Sequence, residues 1–132
     1  MSLKRGSWLA LRSLFAVGAG LAVVPLINLA GGALSDLTGF PAAGEGRLAW
    51  DLGWVFVAGA LAAWTVTKLA PRAARAHAHA VAFFALMLGV SVVAVARLGE
   101  DWPRWFSAGI LIALPLQVGL GTWWALRSRE RR

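Results

Sequence analysis

Four long apolar blocks, separated by three short polar segments, account for most of this chain. The first runs from Ser13 to Leu34, 22 residues without a charge. A helix rises 1.5 Å per residue, so this block is about 33 Å long and can cross a hydrocarbon core of about 30 Å. The same pattern predicts helices over roughly 52–70, 76–96 and 105–126. Pro71 marks the end of the second, because proline cannot donate the backbone bond that would continue it. The expected fold class is all-α: a single integral membrane domain built as a four-transmembrane-helix bundle over residues 1–132.

The polar segments read as connections. Ser35 to Asp51 carries Asp36, Glu45, Arg47 and Asp51 together with Gly39, Pro41, Gly44 and Gly46, and glycine and proline at that density predict a loop. Lys68 to Arg75 is a basic hinge, Arg97 to Arg104 a tight turn, and Arg127 to Arg132 a basic tail. Pro25 and Pro115 fall inside predicted helices, where each frees a carbonyl and tends to kink the helix. In membranes such carbonyls are usually satisfied by neighbours. A secretory signal peptide also begins with basic residues and an apolar run, but its run is about 7–15 residues. The first block is longer, so it is expected to remain as a helix.

Composition agrees with the blocks. The chain is 59% hydrophobic and 14% charged, against about 45–50% and about 25% in soluble domains. Its net charge of +7 does not point to nucleic acid, because the basic residues sit between the apolar blocks, where topology accounts for them. The segment before the first helix holds three Lys/Arg, the hinge three and the tail four, while the other two connections share three. All three rich segments fall on one face of a four-pass path, and five of the six acids fall on the other. The face richer in Lys and Arg is the cytoplasmic one, so both termini are expected in the cytoplasm. Seven of the eight Trp stand near predicted helix ends, where their rings favour the interface; Trp64 is the exception.

The predicted spans hold no Asp, Glu, Lys or Arg in their central parts. Ionisable groups inside a bilayer mark proton relays and ion paths. Small multidrug transporters have a similar length and four helices, but carry a glutamate in the first helix; none stands between Ser13 and Leu34. The remaining polar candidates are Asn28, Ser91 and Gln117. Two roles are open to them: hydrogen bonds to a neighbouring helix, at roughly 0.6–2 kcal/mol each, or the lining of a substrate path. Gly109, Ala113, Gln117, Gly121 and Ala125 recur every four residues and share one helix face, where small side chains allow close approach. Gly59 with Ala63, and Ala85 with Gly89, repeat the spacing more weakly.

No cysteine is present, which removes disulfides and thiolate sites. His77 and His79 are two apart and on a helix point about 200° from one another, so they do not share a metal. No nucleophile elbow, P-loop or HExxH pattern occurs, and Glu100 and Asp101 share a turn with no histidine on their side. The chain is therefore expected to be neither an enzyme nor the holder of a cofactor or metal.

Lys68-Leu-Ala-Pro-Arg72 followed by His77-Ala78, then Trp102-Pro-Arg-Trp-Phe106, then Pro115 in the last helix, resembles a group of small, functionally uncharacterised four-helix proteins of the bacterial inner membrane. The resemblance covers mainly Ala60 to Leu126. It implies localisation and architecture, and no catalytic residues. The expected role is structural or accessory, with the lipid bilayer, a further copy of the chain or another membrane protein as partner. The alternative is a small transporter or channel with Asn28, Ser91 and Gln117 along its path.

Overall fold

A computed structural model describes residues 2–131, with side chains from residue 4 onward. It consists of four helices, α1 (Ser2–Thr38), α2 (Gly44–Leu69), α3 (Ala76–Leu98) and α4 (Arg104–Glu130), with one 3₁₀ turn (Ala73–Arg75) between α2 and α3. Each of the four is long and apolar enough to cross a membrane, as expected of a multi-pass protein.

The helices are longer than the apolar blocks at most ends. The expected bounds 13–34, 52–70, 76–96 and 105–126 follow the apolar blocks, not the helix ends. Lys, Arg, Leu and Ala are all good helix formers, so α1 and α4 continue into their basic flanks. The segment from Ser35 to Asp51 is not one loop. Only residues 39–43 lie outside helices, between the end of α1 and the start of α2. Gly39 (φ +66°) and Gly44 (φ +73°) take the left-handed conformation that bounds the turn, and glycine reaches it without steric cost. Arg47 and Asp51, one turn apart on α2, form an ion pair of 3.3 Å along the helix. The polar character of this stretch thus does not mark a break in helix except at residues 39–43. At its other end α2 stops at Leu69, because Ala70 precedes proline and is extended (φ −51°, ψ 127°).

α2 is the hub. It packs extensively against α1 on one side and α4 on the other, and also meets α3, whereas α1 and α4 do not touch among the described residues. The arrangement is a layer of α1, α2 and α4, with α3 laid over α2 and α4. The buried core, Ala62, Ala63, Val66, Phe83, Leu114 and Val118, lies where α3 crosses that layer, with Val17, Val23 and Val24 of α1 packed against it. Alanine supplies most of the buried apolar side chains, while Leu26, Leu29, Val93, Ile112 and Leu116 are exposed. That distribution suits a lipid solvent. Lipid tails are as apolar as leucine, so helices associate through tight packing of small side chains and not through removal of apolar surface from water.

Candidate functional site

One close helix contact lies between α2 and α4, and it is built from glycine. A Cβ on Gly121 would run into the Ala60 carbonyl of α2, and one on Gly59 would overlap the Gln117 carboxamide. A Cβ on Gly109 would press on the Leu52 side chain. Gln117, Gly121 and Ala125 are buried, and Ala113 and Gly109 are half-buried. The face predicted from the four-residue spacing therefore lies against α2, with the Gly59–Ala63 pair of α2 opposite it. Ala85 and Gly89 differ: both are exposed, and a Cβ on Gly89 would meet open space. The same spacing on α3 thus faces outward, because spacing records a shared face and not which neighbour covers it.

Gln117 is 2% exposed, yet its Oε1 has no hydrogen-bond partner among the described residues. Asn28 is half-buried on α1 and Ser91 buried on α3, and no hydrogen bond joins either side chain, or Gln117, to a neighbouring helix. Among the described residues the contacts of these side chains with neighbouring helices are made without hydrogen bonds. The flat carboxamide of Gln117 fills the space left by the missing Gly59 side chain, so shape and not hydrogen bonding accounts for its position. Neither the groove between α3 and α4 nor the clefts beside Arg131, Trp64 and Trp8 are lined by Asn28, Ser91 or Gln117.

Sequence spacing also understates α1. Gly20 faces Val66, Ala62 and Phe83, and Gly31 lies under the Trp54 indole, so α1 approaches α2 through its own glycines. Ala16 and Gly20, and Gly31 and Ser35, are four apart and buried; that repeat is the signal that identifies the face. At the turn end of this contact Trp50 Nε1 donates to the Gly31 carbonyl at 2.9 Å, Ser35 Oγ donates to Pro41 O at 2.8 Å, and Arg47 bridges Asp36 (3.0 Å) and Asp51.

The opposite end carries a different device. α2 ends without a glycine, leaving carbonyls with no intrahelical donor. A single guanidinium nitrogen of Arg129, on the last turn of α4, donates to the carbonyls of Thr67 and Lys68 at 2.7 Å and to Ala70 at 3.4 Å. The expected basic tail is therefore helix as far as Glu130, with Arg132 outside the described residues, and one of its charges caps α2. A cation at a helix C-terminus also complements the negative end of its dipole. Trp64, out of place by sequence, stacks at 6.1 Å against Trp124 of α4 with Lys68 Nζ 5.9 Å from its ring centre, as part of this same end.

The histidines separate as their spacing predicts. His79 Nδ1 lies 2.8 Å from the Arg75 carbonyl, which can only accept, so the proton is on Nδ1 in that bond. His77 is exposed and stands at the end of a groove of about 450 Å³ between α3 and α4. Among the described residues no group of three or more His, Cys, Asp or Glu side chains gathers to hold a metal ion.

No family model, no curated protein and no solved structure matches this chain.

Proposed function

We propose that the chain is a structural or accessory protein of the bacterial inner membrane, without catalytic activity, with its basic ends and hinge in the cytoplasm. The bilayer is its constant partner, and a second copy or another membrane protein its functional one. The observation that carries this reading is the position of Gln117. The one amide buried deep in the bundle is closed into a helix contact against Gly59 and lines none of the described clefts. A transport path needs polar groups that a substrate can reach. The resemblance to small four-helix bacterial membrane proteins is in keeping with this reading.

The test is reconstitution. Proteoliposomes containing the chain should pass protons and potassium no faster than protein-free vesicles. Gln117→Met keeps length and volume and removes no hydrogen bond seen in the structure, so its melting temperature in detergent should be no lower than the parent's. A flux that this substitution abolishes while the fold holds would replace the accessory role with a transporter. Orientation is tested by single cysteines at the exposed Ala42 and Ala74. An impermeant thiol reagent on intact spheroplasts should reach Ala42→Cys and not Ala74→Cys, and the reverse pattern would invert the orientation drawn from charge.

A further inference from the structure

A groove opens between α3 and α4 at the basic end, over the core residue Val118. We propose that it binds one anionic diacyl phospholipid, with an acyl chain in the groove and the phosphate at its mouth. This rests on the membrane-spanning reading above, and on the proposed orientation only for the choice of leaflet.

The groove has the form of a chain slot. Ala80, Val81 and Phe84 wall it from α3, and Pro115, Val118 and Gly119 from α4. Each set recurs at three- or four-residue spacing and so forms a continuous strip along its helix. Gly119 keeps the slot open, because a Cβ there would meet nothing. From Pro115 to Leu126, which bound the slot along α4, the helix rises about 16 Å. That is about half of a hydrocarbon core of about 30 Å, the depth of one leaflet. The slot therefore begins at one interface and closes near the midplane, as the acyl chain of one leaflet does.

Its mouth is built for an anion. Trp123 lines the groove and also a second cleft of about 260 Å³ that it shares with Arg127, Ser128 and Arg131. The Arg127 guanidinium lies 5.1 Å from the Trp123 ring centre, so the indole holds the cation beside the opening. Guanidinium matches the geometry of phosphate oxygens. Lys68, Arg72 and Arg75 stand at the same end of the bundle, and Glu130 is the acid there. Glu130 is exposed and makes no ion pair with Arg127 or Arg131. Arg129 is already committed to the α2 carbonyls, which leaves Arg127 and Arg131 for the ligand. A zwitterionic headgroup would bring its own ammonium beside Arg127 and Arg131, whereas an anionic one brings none. Basic pockets between membrane helices on the cytoplasmic side are suited to such headgroups.

The experiment uses the full chain in mild detergent, with native mass spectrometry and thermal denaturation as readouts. Phosphatidylglycerol and phosphatidylcholine with identical acyl chains are the probes, and inorganic phosphate is the headgroup control. One phosphatidylglycerol should be retained per chain and raise the melting temperature. Phosphatidylcholine should be retained more weakly, and inorganic phosphate should give no shift. Arg127→Gln should weaken phosphatidylglycerol binding about fivefold. Gly119→Phe should remove it by filling the slot, while Gly18→Phe, also into open space but on α1, should leave it intact. If Gly119→Phe prevents folding, Arg127→Gln combined with Arg131→Gln, both at exposed positions, carries the test. Equal retention of the two lipids, or phosphatidylglycerol binding untouched by the mouth variants, overturns the proposal. So does a dimer that Gly119→Phe dissociates, since a second copy would then be the occupant. Neither the flux assay nor the cysteine labelling involves the groove, so failure here is distinct from failure of the accessory reading.

Discussion

α2 and α3 are both apolar helices of similar length, and they differ in a direction opposite to that of soluble proteins. The most apolar window of α3 has mean hydropathy 2.3 and is 11% buried; that of α2 has 1.5 and is 33% buried. The more hydrophobic helix is the less covered one. Its Val81, Val90, Val92 and Val93 face outward, while α2 buries Ala58, Gly59, Ala62 and Ala63. In a bilayer a large aliphatic side chain gains nothing by moving from lipid to protein, and its bulk keeps helices apart. A small one lets two backbones meet, and the many weak contacts along them supply the attraction. High hydropathy here identifies surface, and the run of Ala and Gly identifies core.

The comparison breaks most sharply at Gly121. Gly121→Leu directs a side chain into the Ala60 backbone, which cannot rotate away. Overpacking of this kind costs about 1–3 kcal/mol and occasionally more, so a large fall in melting temperature in detergent is expected, with α2 and α4 forced apart. An unchanged melting temperature would mean that the α2–α4 contact contributes nothing. Arg129→Gln comes next. It removes the charged donor from three carbonyls at the end of α2, and hydrogen bonds involving a charged group contribute about 1.5–3 kcal/mol. Because Arg129 is only part-buried, the expected loss is at the lower end of that range. Faster amide hydrogen exchange at residues 64–70 should accompany it; if exchange there does not change, the cap is ornamental. The smallest effect belongs to α3. Gly89→Leu points into open surroundings and should shift stability by less than about 0.5 kcal/mol. A loss comparable to that of Gly121→Leu would show that a further partner covers α3.

Much of this is legible in the sequence, for identifiable reasons. A span needs about 20 apolar residues, so blocks such as 13–34 announce themselves. The four-residue recurrence from Gly109 to Ala125 identifies a face, because a regular helix fixes which residues line up. The helix ends are less legible. Apolar character stops at the edge of the hydrocarbon while the backbone hydrogen bonding continues, so α1 runs through Arg12 and Lys4, and α4 through Arg127. The α1–α2 contact escapes for another reason: alanine and glycine are so frequent that many faces show the spacing, and only tertiary structure separates Gly20, against Val66, from Gly89, against nothing. Arg129 is the clearest limit. As one of a row of arginines it counts toward orientation, but a cap on a helix that ends 60 residues earlier depends on where the folded chain brings it.

That cap has a consequence for the order in which the molecule can be completed. Arg129 lies 62 residues beyond Thr67, whose carbonyl it satisfies. During synthesis the hub helix is made second, and its end must wait for those 62 further residues before its donor exists. Insertion and closure are thus separate events. A chain halted after Leu126 would already contain the apolar lengths of all four helices, yet its hub would still lack the donor at one end. The turn of α4 that carries Arg129 acts as a fastener applied after the helices it closes.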